Sequence, residues 1–268
     1  MTDPLPATWE WHVASDYEAG SAIAAERLLS AWRTNPKLLL CAATGNSPAR
    51  TYELFAQGIL SNGKSPTNLR ILKLDEWGGL PADDPATCET YLLMHLVKPL
   101  GVVPERFIGF QSESLSPSEE CHRVAGWLNR NGPVDVCVLG IGINGHLGFN
   151  EPADVLNAEC HVAKLTSESL SHAMLSATSK RPSYGLTVGM REISIAQDSS
   201  ASVRRSKGCT AETASYGRSI DELSRILSHA SPTGRMCLRR SRCRTIAVRI
   251  RDEARRFQMT ESRGEWRI

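Results

Sequence analysis

No run of apolar residues in this 268-residue chain is long enough to cross a bilayer, so a membrane-spanning helix is not expected. The opening stretch "MTDPLPATWEWHVASD" has no basic segment followed by an apolar one. It therefore does not read as a secretory leader, and a cytoplasmic protein is expected. The eight cysteines include no Cys-x-x-Cys pair. Reduced thiols are the simpler reading, and the adjacent pairs Cys121-His122 and Cys160-His161 lack the second pair a metal site needs. No Gly-x-Gly-x-x-Gly opens a helix, which argues against a dinucleotide site, and no Gly-x-Ser-x-Gly elbow is present. The sequence carries no internal repeat.

What is there begins with an uneven charge. The net charge of +2 divides into a balance of −6 over residues 1–190 and +8 over residues 191–268. A basic tail of that kind suggests a nucleic-acid arm. No helix-turn-helix pattern accompanies it, and a charge excess alone supports only salt-sensitive, non-specific binding.

The first 190 residues alternate between two patterns. "DYEAGSAIAAERLLSAWRTN" has apolar residues at helical spacing, and "KLLLCAA" is a short apolar strand followed by "TGNSPARTYELFAQGIL", with Pro48 suited to a first helical turn. "LRILKLDEW" predicts the next strand and "VDVCVLGI" another. "CETYLLMHLV" and "SPSEECHRVAGWLNR" predict helices, the second with Ser116 and Glu119 spaced as a capping box. "CHVAKLT" and "YGLTVGM" read as further strands, with "SESLSHAML" a helix between them. Apolar strands alternating with helices predict an α/β fold with a parallel sheet covered on both faces.

In such a sheet, ligands bind beyond the carboxyl ends of the strands. Three loops qualify. "TGNSP" offers backbone N–H groups, hydroxyls and a helix N-terminus, which favour an anion such as phosphate. It is not a Walker loop, because Gly-Lys-Ser/Thr does not follow it at the required spacing. "LDEW" places Asp75 and Glu76 where a buried strand emerges, as a helix cap or as a proton-transfer base. "GINGHLGFNEPA" is the most informative. Its glycines allow close backbone approach, His146 carries protons near neutral pH, and Glu151 could fix its tautomer. A loop histidine that merely satisfies its neighbours is the bland alternative.

Taken in order, "TGNSPARTYELF", "LDEWGGLP", "ATCETYLLMHLVKPLGV", "LGIGINGHLGFNEP" and "YGLTVGM" resemble the glucosamine-6-phosphate/galactosamine-6-phosphate isomerase–deaminase family, from about Lys37 to Ile193. The wording of "LDEW", "CETYL" and "GINGH" is closer to the galactosamine branch. The resemblance implies a Rossmann-like fold, an amino-sugar 6-phosphate substrate, no metal or organic cofactor, and a homo-oligomer as one state open to an intact relative. It implies that Asp75 moves the proton between C2 and C1, that His146 opens the ring and that Glu151 orients it. Thr44, Gly45, Asn46 and Ser47 match the phosphate-binding turn. Asn144 stands where the glucosamine branch has an aspartate; an amide cannot act as a base, so a role in holding His146 or the substrate is expected. His161 and Ala163 match the positions that bind an allosteric sugar phosphate in some relatives, which argues against that regulation. A 6-phosphogluconolactonase shares the fold and a similar loop, but "FNEP" after the histidine argues against it. A non-enzymatic sugar-phosphate sensor with a basic arm is the third reading.

The chain departs from the family after Ile193. The expected apolar strand, phosphate-binding lysine and closing strand are replaced by a Ser- and Arg-rich tail. A shift of one nucleotide near Ile195, with synonymous codon choice, can restore two family-like segments. The expected organisation is therefore an incomplete α/β domain over residues 1–193 and a frameshifted, non-native tail over 194–268. Residues 195–268 should then fail to complete the sheet, which counts against a working enzyme as written.

Overall fold

The computed structural model describes residues 9–61, 63, 65–142, 144–153, 156–178, 180–196, 198–203 and 244–250. Among these residues, ten strands form two sheets. The main sheet is built from β1 (Trp9–Ala14), β2 (Leu39–Ala42), β3 (Arg70–Lys73), β5 (Phe107–Ile108), β6 (Val136–Gly140), β9 (Asp198–Val203) and β10 (Arg244–Ile250). Their spatial order is β1-β10-β9-β6-β2-β3-β5, and each adjacent pair is parallel. The smaller sheet is antiparallel, in the order β4-β8-β7, from β4 (Asp75–Gly78), β7 (His161–Ala163) and β8 (Tyr184–Thr187).

Successive side chains of a strand point to opposite faces, and β2 shows what that does here. Leu39 and Cys41 join Leu72, Val124, Leu128 and Leu139 in the core on one face. Leu40 and Ala42 join Leu28, Phe55, Ile59, Ile71 and Val138 on the other. Helices α1 (Tyr17–Thr34) and α2 (Ala49–Leu60) cover the second face, and α5 (Pro117–Asn131) the first. Both faces of the strand are buried, which is why "LLLCAA" reads as a continuous apolar run.

Several expectations are corrected in detail. The helix over "CETYLLMHLV" is α3 (Cys88–Leu92) continued by a π-helical turn, Leu93–Val97, and the short α4 (Lys98–Leu100). "SESLSHAML" divides into α6 (Ser167–Leu170) and a 3-10 turn, Ala173–Ala177. Strands over "CHVAKLT" and "YGLTVGM" form, but in the small antiparallel sheet. The capping box at Ser116 is absent: that side chain makes no cap hydrogen bond, and Pro117 opens α5 instead.

The largest correction concerns the tail. Residues 195–268 were expected to leave the sheet incomplete, yet β9 pairs with β6 and β10 bridges β9 to β1. Parallel pairing is made by backbone N–H and C=O groups, so "DSSASV" and "RTIAVRI" can enter the sheet although neither is a sustained apolar run. Among the described residues the last helix, α7 (Met190–Ile195), leads from β8 toward β9. Residues 204–243 and 251–268, where the rest of the expected non-native tail falls, lie outside the described residues.

Candidate active site

The carboxyl ends of β2, β3 and β6 point their loops to one region. The small sheet holds them there: Leu74 N–H donates to the Ala42 carbonyl at 3.2 Å, and Val188 N–H to the Leu74 carbonyl at 2.9 Å. Asp75 therefore stands at a corner where the chain passes from the main sheet into the small one.

Asp75 and its neighbour Glu76 have different fates. Both are buried. Glu76 accepts the backbone N–H groups of Trp77, Cys88 and Glu89 at 2.8–2.9 Å and a hydrogen bond from Lys73 Nζ at 2.6 Å. Two of those N–H groups open α3, so Glu76 caps that helix from β4 alongside its N-cap Thr87, whose side chain accepts the Thr90 N–H; capping was one alternative for "LDEW". Asp75 Oδ1 has no hydrogen-bond partner among the described residues. Burial, then repulsion from Glu76, pushes its carboxyl up to about 7; His146, the Cys88 thiol and Lys73 pull part of the way back. A carboxyl that releases its proton near neutrality is suited to proton transfer.

The loop after β6 is built around a histidine. A methyl group at Gly142 would overlap the His146 ring, so glycine is what lets the ring lie against the backbone. Gly148 has φ +59°, a left-handed conformation, and passes close to Asp75 and Thr187. Asn150 is buried and ties the loop down by donating to the carbonyls of Leu147 (2.8 Å) and Val188 (2.9 Å).

His146 Nδ1 lies 3.5 Å from Glu151 Oε2 and 3.4 Å from Ser169 Oγ. Glu151 accepts from Asn144 Nδ2 at 2.9 Å, from the Thr166 hydroxyl at 3.3 Å and from the Ser169 hydroxyl. Burial alone would raise the Glu151 carboxyl, but hydrogen bonds from His146, Ser169 and Asn144 hold it at about 2. Asn144 Oδ1 also accepts the His146 backbone N–H at 3.2 Å. The amide thus braces both His146 and Glu151. A proton on Nδ1 faces Glu151, which leaves Nε2 as the free acceptor.

The turn Thr44–Ser47 completes the cluster. Tyr91 donates its hydroxyl to the Gly45 carbonyl (2.6 Å), and Tyr17 to the carbonyls of Asn46 (2.8 Å) and Ser47 (3.2 Å). In a trans peptide the N–H points opposite its C=O. The N–H groups of Asn46 and Ser47 are thereby turned away from the tyrosines. Thr44 Oγ1 contacts Cys88 Sγ at 3.4 Å, linking the turn to the Asp75 corner. His172 lies over Gly45, its Nδ1 accepting the Met174 N–H at 3.3 Å.

The structure thus brings together Asp75, His146, Glu151, Asn144 and the Thr44–Ser47 turn. Ser169, Thr166, His172, Tyr17, Tyr91 and Lys73 were missed by the sequence reading. Tyr17, Lys73 and Tyr91 are scattered along the chain, and Thr166, Ser169 and His172 fall together in a segment outside the three loops, where their types form no recognisable motif. Two phosphate-loop patterns are present in the sequence, each partly outside the described residues. Gly58–Ser65 spells Gly-x4-Gly-Lys-Ser with Gly58 inside α2, and Gly140–Gly145 spells Gly-x-Gly-x-x-Gly but opens no helix.

No family model matches the chain. Among individual proteins, it is 40% identical over 178 residues to one named "Putative deaminase AgaI" from Escherichia coli, covering 66% of this chain and 70% of that one. It is 31% identical over 185 residues to a glucosamine-6-phosphate deaminase of Shouchella clausii, covering 68% and 75%. A glucosamine-6-phosphate deaminase of Streptomyces coelicolor is 33% identical over 156 residues, covering 58% and 60%. Among solved structures, a monomeric glucosamine-6-phosphate deaminase superposes with TM-score 0.76 at 24% identity, over 90% of this chain and 97% of that one. A 6-phosphogluconolactonase from Thermotoga maritima gives TM-score 0.66 at 13% identity, over 91% and 100%. At these identities the two superpositions establish the fold alone.

Proposed function

We infer the chemistry from one premise: this chain belongs to the family of glucosamine-6-phosphate deaminases and the related deaminase AgaI. It is an amino-sugar-phosphate deaminase/isomerase, turning an amino-sugar 6-phosphate and water into a ketose 6-phosphate and ammonia. The observation that carries the residue assignment is the pair of contrasting carboxyls. Asp75, buried and raised to about 7, is the base that takes the C2 proton and returns it to C1. Glu151, held at about 2, stays ionised and orients His146, whose Nε2 exchanges the proton that opens the ring.

The outward-turned N–H groups of the Thr44–Ser47 turn, at the start of α2, suit the 6-phosphate. Asn144 serves as a brace. The protein is cytoplasmic, uses no metal or organic cofactor and does not act on nucleic acid. Of the two epimers, galactosamine 6-phosphate is the first choice, on the wording of "LDEW", "CETYL" and "GINGH".

The test is release of ammonia from galactosamine 6-phosphate and from glucosamine 6-phosphate, with exchange of the C2 proton followed in deuterated water. Ammonia from either supports the deaminase. Hydrolysis of 6-phosphogluconolactone with no ammonia from any amino-sugar phosphate favours the lactonase reading instead. The residues assigned to this chemistry all lie within 1–193. A change of reading frame near Ile195 is part of the same proposal, on the two family-like segments that a one-nucleotide shift can restore; resequencing codons 193–196 and finding one unbroken frame overturns it.

A further inference from the structure

Lys73 is fully buried at the end of β3, with its Nζ 2.6 Å from Glu76 Oε2 and 2.9 Å from Glu89 Oε2. Gly109 makes room for it, since a side chain there would overlap the lysine stem. Burial works against the ammonium, but the two carboxylates outweigh it and hold its proton more firmly than in an ordinary lysine. Glu89 is 45% exposed and reaches in from α3, whereas Glu76 is wholly enclosed.

A buried ion pair is a poor route to stability, because apolar residues of the same volume often do as well or better. What the charge supplies here is a fixed field beside Asp75. We propose that Lys73 is a positioning residue for the proton transfer: it anchors Glu76, next to Asp75 on β4, together with Glu89 on α3, and offsets their negative charge at the base. The proposal rests on the reading of Asp75 as that base.

The groups around Asp75 define the electrostatics. Glu76 on β4 opposes its ionisation, while Lys73 on β3, His146 on the loop after β6 and the Cys88 thiol on α3 favour it. Tyr52 on α2 and Cys41 on β2 also sense Asp75 and stay uncharged. Burial raises the Tyr52 hydroxyl, and a hydrogen bond with Cys137, together with burial, raises the Cys41 thiol. On α5, Glu120 senses Lys73 but is engaged by Arg123 at 2.6 Å. Lys73 is thus the cation paired directly with Glu76, the carboxylate that opposes ionisation of Asp75, while Glu89, its second partner, is also sensed by Arg123 on α5.

Two substitutions in the same ion triple should move the base in opposite directions. Lys73→Met leaves the carboxylates uncompensated and makes Asp75 harder to ionise. The acid limb of kcat/KM for ammonia release should move up by about one pH unit. Glu89→Gln removes a negative charge at the exposed end, and the limb should move down by less. General loosening of the fold would move both variants the same way, and thermal melting is recorded beside each.

The independent readout is the titration of carbon-labelled aspartate carboxyls, with the Asp75 signal assigned by its loss in Asp75→Asn. Opposite shifts in both readouts support the proposal; shifts of one sign, or none, overturn it. If the Asp75 signal shifts oppositely while the kinetic limb stays put, the charge coupling stands. Asp75 is then not the base, and Lys73 has no part in the proton transfer. Should Lys73→Met fail to fold, Glu89→Gln still carries the sign, and an upward or absent shift overturns the proposal.

Discussion

A buried carboxyl and a half-buried one within one cluster end at opposite extremes. The Asp75 corner has an oxygen with no partner among the described residues and a carboxyl raised to about 7. The Glu151 loop surrounds its carboxyl with donors from His146, Asn144, Thr166 and Ser169 and holds it at about 2. Burial opposes ionisation in both, and the supply of hydrogen-bond donors decides between them. One group exchanges protons near neutral pH. The other remains a fixed charge.

Removing the carboxyl at the Asp75 corner should have the largest effect. Asp75→Asn should lower C2 proton exchange by about a thousandfold, the middle of the range for a lost general base. Deuterium incorporation measures it, and retained exchange would mean another group is the base. His146→Gln should come next, with about a hundredfold loss on the closed-ring sugar. Its effect on an open-chain analogue should be much smaller, and equal losses on both would remove the ring-opening role.

The pH dependence sharpens the contrast further. If Asp75 must be ionised, kcat/KM should fall as pH drops through about 7, and Asp75→Asn should lack that limb. Stability should run the other way for this group. The folded state holds a proton that an unfolded Asp, near 3.8, has released, so Asp75 costs stability as pH rises from about 4 through about 7. Asp75→Asn should therefore melt several degrees higher than the parent at pH 8. Glu151 has the opposite sign: its contribution is present above about 4.5 and is lost as pH falls toward 2. A melting curve for Asp75→Asn that matches the parent at pH 8 would show that the corner carries no such penalty.

Ser169→Ala should have the smallest effect. It removes one of several donors to Glu151, so a few-fold loss of ring opening is expected, with C2 exchange in an open-chain analogue unchanged. A loss as large as that of His146→Gln would mean that the serine touches the substrate directly.

Much of this was legible before the fold was known. Alternating apolar and helical segments marked the parallel sheet, because a strand buried on both faces needs an apolar run. The same logic misjudged β9 and β10, since strand pairing draws on backbone groups that every residue but proline can offer. It also passed over β1, at the sheet edge. The three loops were legible because glycines and polar residues after an apolar strand have few other uses. Yet "LDEW" left Asp75 and Glu76 indistinguishable: the choice between cap and base depends on α3, which begins at Cys88, twelve residues beyond Glu76.

By itself, the sequence determined where polar, ionisable residues leave the strands, and with them the spacing of Asp75, His146 and Glu151. Only the tertiary structure decided which carboxyl keeps an oxygen without a partner among the described residues. Hydrogen-bond donors reach Glu151 from Ser169 and Glu76 from α3 through distant parts of the chain, and Lys73 is enclosed only once β3, α3 and the Gly109 turn have packed. The protonation of a buried group depends on the summed fields and donors around it, and those are a property of the folded chain.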